Sequence, residues 1–316
     1  MKEGCVIHAD KSSSLIRRLS GVETGAEGRR QRARILSRLL VCLAVLLVAM
    51  PGRAEDTEHR LGQGVSFAAG IGAEISHGDY GSNADATVVT LPVLLAFYPA
   101  ESLDLTLELP MVFLTSKTGS DVVVTQSGGG GRGRRGGSTS STATTTTTTS
   151  VSSTATEAGL GDISLSAGWT VLADRDRTPR IRPTIYLKLP SGDKDRGLGT
   201  GTFEGGPGLS VSKWLGDFQL FADSSYILQD RTKSYQGKNY VSYSAGGGLQ
   251  ATDRLFVSLY ARGSTARAEG ADAPFEGRLK VNFLQSRRVA WEVYALAGFT
   301  DASPAVGGGL LVLYQF

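Results

Sequence analysis

Along most of the chain apolar residues recur at every second position, the spacing of a strand with two unlike faces. In the cleanest segment Leu103, Leu105, Leu107, Leu109, Met111 and Phe113 share one face, and Asp104, Thr106, Glu108 and Pro110 share the other. The same alternation predicts strands over 65–76, 87–98, 103–114, 160–172 and 180–189. Further strands are expected to start near Phe203, Phe218, Tyr240, Leu255, Phe275 and Val289, and a last one covers 305–316. That makes about twelve strands, each near the roughly ten residues that a tilted membrane-crossing strand needs.

The predicted connections alternate in length. Segments 99–102, 173–178, 215–217, 251–254 and 285–288 are short; 77–84, 115–157, 190–202, 229–239 and 265–273 are longer, and 300–304 is intermediate. Short turns at one end, long loops at the other and an even strand count describe an all-β, antiparallel up-and-down transmembrane β-barrel with both chain ends on the short-turn side.

Alternation does not say which face is inside, but charge does. Glu108, Arg182, Arg278, Lys280 and Glu292 lie opposite the aliphatic face, at or near mid-strand. A Lys or Arg facing lipid at the midplane costs roughly 2–4 kcal/mol, so the charged faces are expected to line a wet lumen. A soluble barrel would be turned the other way, aliphatic inside and charged outside. The expected lining set is Glu74, Asp104, Glu108, Asp162, Arg180, Arg182, Lys188, Arg262, Arg278, Lys280 and Glu292. Of these, Glu74, Asp104, Glu108 and Asp162 come from the first, third and fourth strands, and the bases from the fifth, ninth and tenth. Two expectations follow: opposed walls that set a transverse field across a narrow pore, or charges that pair and fill the lumen. Lys213 has the apolar-face parity, at a strand end where it can snorkel.

The last strand places Leu310, Val312, Tyr314 and Phe316 on one face and Gly307 and Gly309 on the other. A terminal Phe on an apolar strand resembles the C-terminal recognition signal of bacterial outer-membrane barrels. The first face is expected to meet lipid, with its two rings at the periplasmic boundary, and the strand to close on 65–76. The partners expected are outer-membrane lipid, the barrel-assembly machinery and a small-molecule solute.

Composition changes this picture at the N-terminus. Arg29, Arg30, Arg32, Arg34 and Arg38 precede an apolar run over 39–50, and small residues stand before Glu55, so 1–54 reads as a secretory signal with an extended leading region. The general export pathway would deliver residues 55–316 to the outer membrane of a Gram-negative cell. Residues 1–54 hold ten of the 33 basic and four of the 30 acidic residues, leaving 23 basic against 26 acidic. The basic balance therefore belongs to the address and does not argue for nucleic acid. Both cysteines, Cys5 and Cys42, lie in the same segment. No catalytic, cofactor or metal set is expected, since the remaining histidines are His59 and His77, the latter read as a loop residue. The stretch from Gly197 to Thr202, rich in Gly and Thr, lacks the Lys and the strand–helix setting of a nucleotide loop. Segment 115–157, Gly/Arg-rich and then Thr/Ser-rich, is expected to be a disordered extracellular loop.

Three motifs follow one another along the chain: Gly159-Leu160-Gly161-Asp162-Ile163; Lys188-Leu189-Pro190-Ser191-Gly192-Asp193 with Leu198-Gly199-Thr200-Gly201; and Ser212-Lys213-Trp214-Leu215-Gly216. In this order they resemble the outer-membrane barrels named for the meta-pathway of phenol degradation, over most of 60–316. The resemblance implies an outer-membrane channel for passive uptake of small, aromatic or hydrophobic solutes, and it supplies no catalytic residues. The alternatives are a lipid-modifying barrel enzyme built around His77 and a structural or adhesive surface protein using 115–157.

Overall fold

The computed structural model describes residues 65–80, 85–116, 121–126, 142–147, 155–230, 237–268 and 270–316. The expected signal segment 1–54 lies outside them, as does His59. The strands are β1 (Ser66–Gly78), β2 (Ala86–Ala100), β3 (Leu103–Ser116), β4 (Asp121–Gln126), β5 (Thr142–Thr147), β6 (Ala155–Leu160), β7 (Ile163–Trp169) and β8 (Arg180–Leu189). They continue as β9 (Glu204–Leu215), β10 (Phe218–Gln229), β11 (Tyr240–Thr252), β12 (Leu255–Ser264), β13 (Phe275–Leu284), β14 (Val289–Gly298) and β15 (Val306–Gln315).

Each strand after β7 pairs antiparallel with the next, and β15 returns to β1 through ten residue pairs from Ala68↔Gln315 to His77↔Val306. β1, β2 and β3 pair in turn, and β3 pairs with both β6 and β7. The last two are consecutive parts of one stave, so the closed barrel has twelve staves. Closure leaves no exposed edge, the condition for a sheet to sit in lipid.

The fourth predicted strand is corrected in two ways. It begins at Ala155 rather than Leu160, and it is broken at Gly161-Asp162, where the Gly161 amide reaches back to the Pro110 carbonyl at 2.8 Å. It also stops at Trp169; beyond it only isolated bridges, Leu172↔Ile181 and Arg175↔Thr178, continue the pairing. His77 belongs to β1, not to a loop, and its Nδ1 lies 3.0 Å from Thr87 Oγ1. Within 115–157, expected to be without structure, β3 runs on to Ser116, β6 starts at Ala155, and β4 and β5 pair as a separate two-stranded sheet. Both of those segments are rich in β-branched residues, which suit extended backbone.

The barrel is apolar outside and polar inside. On β12 Leu259 is 66% exposed, whereas Arg262, of opposite parity, is 6% exposed. On β8 Ile185 is 60% exposed and Lys188 is fully buried. Rings gather at the short-turn end: Phe67 stacks on Phe97 at 4.7 Å, Tyr314 meets Phe316 edge-on at 5.0 Å, and the Phe316 amide donates to the Phe67 carbonyl. Among the described residues no helix is long and apolar enough to cross a membrane; here strands have the length and the outer surface to do so.

Candidate functional site

The interior is organised around Asp162, at the break between β6 and β7. Leaving the ladder frees its carboxylate to receive the connection between β8 and β9, residues 190–203. Asp162 Oδ1 accepts the Gly192 amide at 3.0 Å, and Oδ2 accepts the Thr200 amide at 3.0 Å and the Thr200 hydroxyl at 3.3 Å. Lys188 lies 3.0 Å from Asp162 Oδ2, donates to Thr200 Oγ1 at 2.5 Å and pairs with Glu204. Tyr240 donates its hydroxyl to Glu204 Oε2 at 3.1 Å. Ser191 completes the anchor, donating to the Gly161 carbonyl at 2.9 Å and accepting the Ile163 amide at 2.8 Å.

The connection turns inward because its glycines leave no bulk in the way. A Cβ on Gly199 would stand 2.3 Å from Asp162 Oδ1, so only glycine lets the carboxylate reach the loop backbone. A single 3₁₀ turn, Lys194–Arg196, ends on Gly197 in the left-handed region at φ 70°. Leu198 then packs in a buried apolar cluster with Tyr80, Ala86, Val88, Val112 and Leu114. Two of the motifs that are scattered in sequence thus form one folded unit, with Arg196 bonded to Glu157 at 2.6 Å on its outer side.

A second polar group lies on β12 to β14. Arg278 gives Nε and Nη2 to Glu276 Oε1, both at 2.8 Å, and its guanidinium stacks 4.9 Å over the Tyr294 ring. Lys280 reaches Glu292 at 3.5 Å and sits 5.8 Å over Tyr260. A third group joins β3 to β8, where buried Arg182 forms a two-bond pair with Asp104, its Nε at 3.0 Å from Oδ1. Arg180, at the start of β8, is half-buried and bonds Thr170 Oγ1 at 2.8 Å. Glu74 and Glu108 are half-buried on the inner faces of β1 and β3.

These pairs bear on the two expectations for the interior, a transverse field or charges that pair. Asp104 and Asp162 do not stand across the lumen from Arg182 and Lys188; β3, β6–β7 and β8 are neighbours, so opposite charges meet side by side. Several interior charges were absent from the sequence-based set: Glu204, Asp223, Arg267 and Glu276. Glu276 shares the parity of Arg278 and Lys280, and Asp223 lies on the inner face of β10 between the hydroxyls of Ser210 and Ser244, so strict alternation would have found both. Glu204, first in β9, shares the inner parity of Ser210, so alternation reaches it too, whereas Arg267 sits in a loop where no period applies. Leu198 had no signal, since nothing local says that a Gly-rich loop folds inward.

At the short-turn end a cavity of about 660 Å³ is lined by Asp174, Arg180, Lys213, Trp214 and Gln219 among others. Lys213 leans out of β9 to Asp174 Oδ1 and the Arg175 carbonyl, each at 2.5 Å, and the Trp214 amide bonds Asp174 Oδ2 at 2.7 Å. Partial burial raises the Asp174 carboxyl, but the Lys213 bond, the Trp214 amide and the Lys213 charge together bring it below its ordinary value. Leu310, Tyr314 and Phe316 are exposed on the barrel exterior and Val312 is half-buried, while a Cβ on Gly309 would point at Tyr294 and Glu74 inside.

A closed barrel with an apolar exterior and a charged interior defines the outer-membrane class of β-barrel, since only closure satisfies the backbone within lipid. Within that class, the chain belongs to the family described as "Putative MetA-pathway of phenol degradation", whose model matches residues 125–310. No curated protein sequence matches the chain. In three dimensions it is similar to an outer membrane channel from Pseudomonas putida F1, at 12% identity and a TM-score of 0.57, over 84% of this chain and 100% of that one. The KdgM porin aligns over 78% of this chain and 99% of its own at 8% identity and a TM-score of 0.45. The CymD monoaromatic hydrocarbon channel aligns over 81% and 89% at 8% identity and 0.39. At 12% identity the likeness to the Pseudomonas putida channel concerns the fold.

Proposed function

We propose that this protein is an outer-membrane channel for passive uptake of small solutes, aromatic or hydrophobic compounds among them. The observation that carries the reading is the inverted polarity of a closed barrel. Apolar side chains cover the outside, and ionisable ones sit within, beside an apolar corner formed by Ala86, Val88, Val112, Leu114 and Leu198. An interior with both kinds of surface suits solutes that carry a ring and a polar group. The family description, with its reference to phenol degradation, and the name of the Pseudomonas putida neighbour support the same reading. On this reading the chain reaches the outer membrane by the general export route, with 1–54 as its signal and the C-terminal strand as the mark read by the assembly machinery. The interior charges are assigned no catalytic task; they are the lining of the path.

The test is reconstitution of purified protein into planar bilayers and liposomes. Discrete conductance steps, with entry of small solutes into loaded liposomes, are the expected result. Folded, inserted protein that carries neither ion nor solute would overturn the proposal.

A further inference from the structure

The inner side of β12 to β14, with the loop after β12, buries Arg262, Arg267, Arg278 and Lys280 against Glu276 and Glu292. Glu74 of β1 adds a carboxylate that faces Arg278 and Tyr294. Among the described residues, four cations there meet three carboxylates. Arg278 and Lys280 hold Glu276 and Glu292, and Arg267 bonds Ser264 Oγ at 3.1 Å and lies 5.0 Å over the Tyr240 ring.

Arg262 is treated differently. It is 6% exposed, and among the described residues its Nη1 and Nη2 have no hydrogen-bond partner. The side chains beside it in register are engaged elsewhere. Ser244 on β11 donates to Asp223 at 3.0 Å, and Glu276 on β13 receives Arg278. Asp223 itself is held by the hydroxyls of Ser210 and Ser244. A buried guanidinium whose terminal nitrogens lack acceptors is costly, and here the nearest carboxylate in register, Glu276, is bonded to Arg278 instead. Arg262 also stands two residues from the long-loop end of β12, early on the route of a solute entering from that side.

We infer that Arg262 is the docking point for the carboxylate of a small solute in the lumen. Nη1 and Nη2 present two parallel N–H donors, and a carboxylate returns two oxygens at the matching spacing. The inference rests on the channel reading and adds a chemical class to it: an organic monoanion, the complement in charge and geometry of a guanidinium. Neighbouring side chains must yield for it to seat, so binding should be selective for a planar carboxylate over a spherical ion of equal charge.

Benzoate is the probe. In bilayers bathed in potassium chloride, millimolar benzoate should reduce the single-channel current of the wild type. Arg262→Gln should weaken that block on the order of tenfold or more, the usual consequence of losing a charged hydrogen-bonded pair. Arg262→Lys, which keeps the charge but not the fork, should fall between them, and Arg254→Gln in a turn at the far end should match wild type. Because Nη1 and Nη2 have no hydrogen-bond partner among the described residues, Arg262→Gln should fold and remain heat-modifiable on gels. Benzoate protection against thermal unfolding in detergent supplies a readout that does not need conduction. Protection lost in Arg262→Gln, in a protein that conducts nothing, would keep the site and sink the channel. Conducting protein whose benzoate block and protection ignore Arg262 would sink the site and keep the channel.

Discussion

At the scale of single residues the interior is a set of pairs that tolerate little change. Arg182 and Asp104 are both buried, and each is the other's principal partner. Asp104→Ala leaves an uncompensated guanidinium and should cost about 3–5 kcal/mol in urea unfolding of the reconstituted barrel. Arg182→Met added to it should restore much of that loss, because both charges are then gone. Gly168 belongs to the same unit, since a Cβ there would lie 1.7 Å from Arg182 Nη2. Gly168→Ala must therefore push the guanidinium off Asp104, and it should resemble Asp104→Ala more than a neutral strand substitution. Asp174 gives a pH signature. Its folded carboxyl lies below the ordinary 3.8, so its bonds stabilise the turn fully above that pH and are lost as pH falls through the folded value. The stability difference between wild type and Asp174→Asn should stay flat above pH 3.8 and vanish as acid protonates the native carboxyl; a difference unchanged at low pH would refute the bond.

At the scale of elements the β8–β9 connection stands out. It is fastened to the wall at Asp162 and seated by Leu198, so its position depends on residues from β3, β6, β7 and β8. Leu198→Ala removes a buried side chain and should weaken docking by about 2–5 kcal/mol. Asp162→Asn keeps the shape but drops the charge that Lys188 needs. In either variant proteases should cut within 190–203 sooner than in wild type, while the heat-modifiable barrel persists. Equal cutting rates would show that the loop is held by other contacts. The split of one stave into β6 and β7 follows from the same anchor: a regular strand at Gly161-Asp162 would point that carboxylate into the ladder's rhythm and away from the loop.

At the scale of the molecule closure governs everything else. β15 meets β1 along the whole of its own length, and Phe316 adds a bond to Phe67 past the end of the strand. Deleting Phe316 should lower the amount of heat-modifiable barrel recovered from outer membranes; recovery equal to wild type would show that the terminal ring is dispensable for assembly. The polarity of the wall gives a second test. Leu259, 66% exposed at the middle of β12, should tolerate Phe but lose roughly 2–4 kcal/mol on change to Arg, as a lipid-facing position does. The same Arg placed at inward-facing Ser258 should cost less, because the interior already holds charge.

Alternation and the distribution of charge were enough to specify twelve staves, their inside and outside and the seam at 305–316. That information is local, because period two and the expense of a charge in lipid act strand by strand. What tertiary structure alone decided was pairing. Neighbouring staves brought Asp104 to Arg182 and Asp162 to Lys188, so these opposite charges sit side by side. Folding carried Thr200 back onto Asp162, 38 residues earlier, and Leu198 into a cluster with residues between Tyr80 and Leu114, and it left Arg262 beside two polar neighbours that bond to others. Such choices depend on which side chains arrive at one place from distant parts of the chain, and no periodicity along the sequence records that.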